Sequence, residues 1–328
     1  MAGLVLIWSP CALAAEFRAV FADAFHAGFK SQSQVDTLIS RVIAGRYNAI
    51  MAEVLAYHDT GTGSHGAYWD SAIVPRATDI PNGFDPLAYL LERAHANGIE
   101  VHAWLIPYRV STSWPPTGNA LLAAHPEWLM VPEGNIGGGP ALVRDDYALD
   151  PGSPEVQEYI VSIVRELVTN YPIDGINWDR IRYMQTDGGF PSSNNYANSG
   201  LARFKRISGC ANYNSSGSCA AQWNDFRRRT IDELIRRCRA EIPWIRANPR
   251  QPLRHTADLI PFGNAPGTCG GFAATSAYSL NQNWAHWMEM GWLDAAIPMD
   301  YKQEHCGSEA TWYRNWVNRT LTCWRFDR

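Results

Sequence analysis

Beyond its first fifteen residues the sequence has no apolar run approaching the ~20 residues that span a bilayer, so no membrane span is expected. It also has no long basic run. The net charge of -4 comes from interspersed signs, 28 Lys and Arg against 32 Asp and Glu, which argues against a nucleic-acid partner. Neither Cys-x-x-Cys nor a His pair three residues apart occurs, so no zinc site is expected; calcium held by loop carboxylates is the one metal chemistry left open. No Gly-x-Gly-x-x-Gly follows the first strand pattern, which removes the usual dinucleotide fingerprint, and no cofactor is expected.

What is present describes a folded domain with a large core. Of 328 residues, 46% are hydrophobic and only 18% charged, which excludes a disordered chain. Fourteen Trp and fourteen Tyr exceed ordinary need; most pack in the core, but aromatic faces also stack on sugar rings. The opening GLVLIWSPCALAA, residues 3 to 15, pairs an apolar run with small residues. It reads as an export signal cleaved near Ala15, without the usual basic residues before it. A secreted or periplasmic location follows. Six cysteines remain beyond it, an even number suited to an oxidising compartment. Cys210 and Cys219 flank the turn-rich ANYNSSGS and are expected to pair. Cys269 with Cys306 is the second expectation, leaving Cys238 and Cys323 over.

Two periodicities alternate along the chain. Strand patterns occur at 17 to 25, 48 to 57, 100 to 108, 175 to 181, 255 to 262 and 294 to 301. Helical stripes lie between them. Val35, Leu38, Ile39, Val42 and Ile43 make the first. The second starts at Asp85-Pro86 and stops at Asn97-Gly98. In SPEVQEYIVSIVRELV, Ser153 caps, Pro154 opens the turn, and Val156, Tyr159, Ile160, Ile163, Val164 and Leu167 form the buried face. Further helices are expected at 221 to 240, at 276 to 290 and in WYRNWVNRTLTCWRF, with Trp312, Tyr313, Trp316 and Val317 on one side. Strand and helix in alternation require a mostly parallel sheet covered by helices. The long connections 58 to 84, 109 to 152, 182 to 219 and 263 to 275 all follow strands. That asymmetry belongs to a barrel of the (β/α)8 type with its active site on the C-terminal face. Only about six strand-helix units can be counted, so residues 16 to 328 read as one barrel domain broken before strand seven, with its first and sixth strands as unpaired edges.

The candidate chemistry sits at strand ends. In DGINWDRIRY, residues 174 to 183, Asp179 ends the fourth strand and shares a face with Asn177, whereas Asp174 precedes the strand and is expected to cap the opposite end. Arg180 and Arg182 are candidates to hold Asp179 ionised and to orient it, with surface ion pairs as the alternative for both. Asp300, ending the sixth strand, is the first choice for a second carboxylate, with Glu53 and Asp258 behind it. Glu53 and His102 fall at comparable depths and are expected to pair, as a structural or a catalytic couple. Tyr57, His58, Trp104, Tyr108, Arg109 and Tyr301 come from other strand ends and are expected to line the same cavity. Carboxylates among aromatic and hydrogen-bonding side chains suit glycoside hydrolysis: one carboxyl protonates the leaving oxygen, the other attacks the anomeric carbon or activates water.

The ordered set HDTGTGSHGAYWDSAIVPRA, FDPLAYLLERAHANGIEVHAWLIPYRV, HPEWL, LDPGSPEVQEYI and YPIDGINWDRIRY resembles the glycosyl-hydrolase-like family 10, formerly a domain of unknown function, over nearly all of Phe17 to Tyr301. The resemblance implies a (β/α)8-type barrel, export in bacteria, and a polysaccharide or oligosaccharide substrate, with cell-wall or environmental glycan as examples. Members commonly read Asp-Gly-Ile, two residues, Asp-Asp at the fourth strand; here Asp179 matches the first aspartate of that pair and Arg180 replaces the second. A secreted glycosidase is the leading expectation. A non-catalytic carbohydrate-binding barrel and a sugar lyase or deacetylase are the alternatives.

Overall fold

The computed structural model describes residues 16–184, 188–192, 196–211, 217–245, 253–303 and 305–324; the expected export signal, residues 1–15, lies outside them. In chain order the strands are β1 (Ala19–Ala22), β2 (Ala49–Leu55), β3 (Glu100–Leu105), β4 (Arg109–Ser111), β5 (Leu129–Pro132), β6 (Tyr147–Leu149), β7 (Gly175–Trp178), β8 (Gly188–Pro191), β9 (Arg254–Leu259) and β10 (Ala295–Pro298). The helices are α1 (Gln32–Ala44), α2 (Pro86–His95), α3 (Ala120–Ala123), α4 (Pro154–Asn170), α5 (Gly200–Ser208), α6 (Ala220–Ile245), α7 (Ser276–Ser279), α8 (Trp284–Glu289) and α9 (Glu309–Cys323).

The six expected strands form one parallel sheet in the order β1-β2-β3-β7-β9-β10, curled into a half-barrel. Alternation sorts its faces. Ile50, Ala52 and Val54 of β2, Val101, Ala103 and Leu105 of β3, Ile176 and Trp178 of β7, and Ala257 and Leu259 of β9 join the main apolar core. The helices cover that face, with α1 burying Val35, Ile39 and Val42 and α4 burying its whole expected stripe. Residues of the other parity face the barrel interior, and from β2 to β9 they include Glu53, His102, Trp104, Asn177, Thr256 and Asp258. Polar chemistry therefore lies inside the curl and apolar packing outside it. β1 and β10 are the sheet's edges, with no ladder between them among the described residues.

Local signals set most element ends. Ser31 and Asp85 accept from the Gln34 and Ala88 amides at the N-termini of α1 and α2. Ser153 does occupy the N-cap of α4, but its hydroxyl donates to Glu155 and makes no capping bond to the helix. Where one helix was expected over 276 to 290, there are two short ones, broken at Leu280 to Asn283, where Asn281 takes a left-handed φ of 65°. On α9, Trp316 is buried as expected, whereas Val317 is exposed.

The largest departure from expectation is a second sheet. β4, β6, β5 and β8 form a four-stranded antiparallel layer out of the long connections after β3 and β7, which read as loops. Its strands are three or four residues long and several pairings carry register shifts, too short for alternation to declare itself. Cys210–Cys219 form the expected disulfide. Cys269 bonds Cys323 and not Cys306, because α9 carries Cys323 back beside the 3-10 turn that begins at Cys269; Cys306 is free and exposed, and Cys238 free and buried.

Candidate active site

Opposite ends of β7 treat their aspartates differently. Asp174, at the N-terminal end, accepts the Val101 amide at 2.7 Å and meets His95 Nε2 at 2.8 Å, while its own amide donates to the Val101 carbonyl. It completes the ladder between β3 and β7. Asp179, past the C-terminal end, accepts among the described residues only the amide of Arg180, at 2.6 Å, and stays half-buried at the mouth.

Two further carboxylates feel the charge of Asp179. Glu53 rises above the ordinary carboxylate range, chiefly through burial, with the negative charges of Asp23 and Asp179 adding to the effect; the Ser64 hydroxyl and the Ala24 amide oppose it. Both donors fall on one oxygen, Oε2, at 2.7 and 2.9 Å. Asp258 is pushed up to about 8 by burial and then by Asp179, against the pull of Asn177 and Arg182. Asn177 is locked between strands, accepting from Thr256 Oγ1 and donating to Asp258 Oδ2, each at 2.8 Å. Asp258 Oδ1 is fully buried with no partner among the described residues. Arg182 supplies positive charge to both Asp179 and Asp258, and burial lowers its own pKa to about 10.

One wall of the mouth is a stack. The Arg109 guanidinium lies 3.8 Å from the Tyr57 ring centroid and His65 stacks on that ring at 4.2 Å; two groups so close must occupy opposite faces. Asp146 grips the stack, accepting Arg109 Nε at 3.0 Å, Arg109 Nη2 at 3.1 Å and the Tyr57 hydroxyl at 2.8 Å. Asp59 holds His65 at 2.6 Å and is itself held by Ser111 at 2.6 Å. Arg180, in a left-handed conformation with φ 49°, turns its guanidinium to Asp146, at 3.7 Å. Its contact with Asp179 runs through its amide. Exposed aromatics follow three strands on this side: Phe25 after β1, Phe262 after β9, and Tyr301 after β10, 85% exposed yet within electrostatic reach of Asp258 and Asp179.

Several expected residues lie elsewhere. His102 does not meet Glu53. It stands level with Met51, two residues below Glu53, with Nε2 on Glu100 at 3.1 Å. His58 points into the helical layer, bonded to the Tyr159 hydroxyl of α4 at 2.9 Å and lowered to about 4 by complete burial. Tyr108 is buried on the same outer side, near Tyr183, Cys238 and Asp150. A register shift between Glu53 and Leu55 breaks the alternation, so facing beyond it cannot be counted off. Trp104 does face inward, its ring edge-on to Phe21 at 5.3 Å. Asp300 has two buried oxygens with no partner among the described residues and is raised by burial, against the charge of Lys302. The structure thus groups Asp179 with Glu53 and Asp258. Residue reading missed Asp59, Ser64, His65 and Asp146. A signal existed for two of them: Gly61-Thr62-Gly63-Ser64-His65-Gly66 after the second strand has Gly-x-Gly-x-x-Gly spacing but opens no helix. Among the described residues no cluster of three or more metal-ligating side chains occurs, and no helix is long and apolar enough to cross a membrane.

A curled parallel sheet with carboxylates converging at its C-terminal mouth is the framework of the barrel-type glycoside hydrolases. The chain belongs to one such group, the glycosyl hydrolase-like 10 family, whose model matches residues 16–320. It is 30% identical over 254 residues to glycosyl hydrolase DigH of Escherichia coli K12, covering 72% of this chain and 52% of that one. To glycosyl hydrolase YngK of Bacillus subtilis it is 24% identical, over 77% of this chain and 46% of that one. The chain thus spans about half the length of these curated relatives. In fold it is similar to the glycoside hydrolase domain of PgaB (BpsB) from Bordetella bronchiseptica, with a TM-score of 0.62 at 15% identity, over 93% of this chain and 80% of that one.

Proposed function

We propose that the protein hydrolyses glycosidic bonds within a polysaccharide, using Asp179 and Glu53 as its working carboxylates. The observation that carries this reading is the convergence of Glu53, Asp179 and Asp258 from three strands, with the charge of Asp179 acting on the other two. Glu53 is the proton donor. With Oε2 occupied by two donors, its proton belongs on Oε1, which has no partner among the described residues and is not sealed from solvent. Asp258 is the weaker candidate for that role, because its unpartnered oxygen is sealed. It serves as a neutral neighbour that limits the negative charge beside Asp179.

Glu53 gives its proton to the glycosidic oxygen as the bond to the anomeric carbon breaks. The Asp179 carboxylate supports the developing positive charge, by attack on that carbon or by taking a proton from the water that attacks it. Water supplies the hydroxyl of the new reducing end, and its one remaining proton restores Glu53, directly where Asp179 has attacked the carbon and by way of Asp179 and solvent where Asp179 has taken it. Tyr301 and the other exposed aromatics of the mouth offer stacking faces for sugar rings, and Arg109 with Tyr57 forms a rigid polar wall.

The substrate we infer is an extracellular or cell-wall glycan, met outside the cytoplasm; the Cys210–Cys219 and Cys269–Cys323 disulfides suit an oxidising compartment. The test is a panel of polysaccharides that includes peptide-free and de-N-acetylated cell-wall glycans, read as new reducing ends. Release by the native protein and its loss in Glu53→Gln and Asp179→Asn is the expected result. Tight binding without release from any glycan would instead select a carbohydrate-binding barrel.

A further inference from the structure

Around Glu53 the hydrogen bonds close into a circuit. Ser64 Oγ and the Ala24 amide both donate to Glu53 Oε2. The Ser64 amide donates to the Tyr68 hydroxyl at 3.0 Å, and that hydroxyl donates to Asp79 Oδ1 at 2.9 Å. Asp79 Oδ2 accepts Lys30 Nζ at 2.8 Å and the Gly63 amide at 3.2 Å. Lys30 Nζ returns to the Ala24 carbonyl at 3.0 Å, and Ala24 is where the circuit began. Consecutive left-handed residues, Gly63 and Ser64, each with φ 70°, aim their two amides and the serine hydroxyl into it. The Lys30–Asp79 pair is mostly buried, with side-chain exposures of 13% and 17%. Burial opposes the charge on Asp79, and Lys30, Gly63 and Tyr68 together hold its carboxyl below the ordinary range.

We propose that Lys30, Asp79, Tyr68 and Ser64 are positioning residues: Ser64 fills one acceptor site of Glu53 Oε2, the other three hold Ser64 and Ala24 in place so that the Ala24 amide fills the second, and the proton is thereby fixed on Oε1. The inference rests on Glu53 acting as proton donor. A carboxyl oxygen accepts two hydrogen bonds in its plane, and both are taken at Oε2. A carboxyl that could carry its proton on either oxygen would present it to the substrate only part of the time. The circuit removes that ambiguity through two connections, those after β1 and β2, and touches no substrate. The other charges facing Glu53 are Asp23 from the end of β1, Asp179 from the end of β7 and Arg109 from β4; none of them belongs to the circuit.

The test reads the carboxyl directly, without requiring turnover. Protein labelled with 13C at the glutamate carboxyl is titrated by NMR, and the Glu53 signal is assigned by its disappearance in Glu53→Gln. Loss of a hydrogen bond to the ionised form raises a carboxyl pKa, so Ser64→Ala should move the Glu53 midpoint up by about one pH unit and Tyr68→Phe by about half of that. Phe29→Leu loosens the same loop, since Phe29 packs on the Tyr68 ring at 6.0 Å, but leaves every bond of the circuit in place. It should lower the melting temperature without moving the midpoint. In glycan cleavage Tyr68→Phe should lower kcat about tenfold and leave KM unchanged. Unmoved midpoints in both Ser64→Ala and Tyr68→Phe would overturn the proposal, as would an equal shift in Phe29→Leu. Shifted midpoints together with full cleavage by Glu53→Gln would leave the circuit standing and remove the catalytic role of Glu53.

Discussion

The two ends of β7 carry the same residue type and put it to opposite uses. Asp174 is committed to the ladder: its Oδ2 takes a strand amide and a histidine, its amide donates to the Val101 carbonyl and its carbonyl accepts the Arg254 amide. Asp179, five residues on, has among the described residues one hydrogen bond, from its neighbour's amide, and faces two carboxyls whose ionisation its charge opposes. A carboxylate tied to the backbone of its neighbouring strand stabilises the chain around it. One held at the mouth beside two other carboxyls is placed for chemistry. The same contrast separates the two faces of the half-barrel, apolar where helices cover it and polar where it opens.

Breaking the contrast at its working end should give the largest effect. Asp179→Asn should lower the turnover of glycan cleavage by about three orders of magnitude or more, with folding intact, because the charge serves the transition state and not the packing; circular dichroism and reducing-end release check the two halves of that statement. Glu53→Gln should cost about two to three orders of magnitude on native glycan, with the high-pH limb of the rate profile lost along with the titrating proton.

A smaller effect sharpens the comparison through pH. The folded Asp258 carboxyl keeps its proton to about pH 8, whereas in the unfolded chain it is released near ~3.9. Between those values the unfolded state holds fewer protons, so stability contributed at low pH is lost as pH rises through the folded value. Urea titrations should show Asp258→Asn gaining about 1 kcal/mol or more over the native protein at pH 8 and little at pH 4. At the opposite end, Asp174→Asn should cost about 1–2 kcal/mol of stability and leave the activity of the folded fraction unchanged.

Much of this frame was legible in the sequence because a parallel strand buried by helices is long enough to show its pattern. Five of the six barrel strands fall within their expected ranges and β9 begins one residue early, at Arg254; α1, α2 and α4 each contain their expected stripe. Asp179 and Asp258 are legible too, since alternation from Asn177 and Thr256 puts them on the inner face. Legibility ends where alternation is interrupted. The register shift after Glu53 sends His58 into the helices, and the antiparallel layer is too short and irregular to be read. Partners brought from far along the chain were invisible for a different reason. Asp146 reaches Tyr57 across 89 residues, and nothing local to either marks the other. Asp300, preferred for ending a strand, is raised by burial and opposed by the charge of Lys302.

The most direct test of the central claim is cleavage in 18O-labelled water, followed by mass spectrometry of the products from the most readily cut glycan of the panel. Native protein and Asp174→Asn should each place one 18O atom at every new reducing end, and Asp179→Asn should form almost no new ends. Equal incorporation by Asp179→Asn, or product ends without 18O in the native reaction, would contradict it.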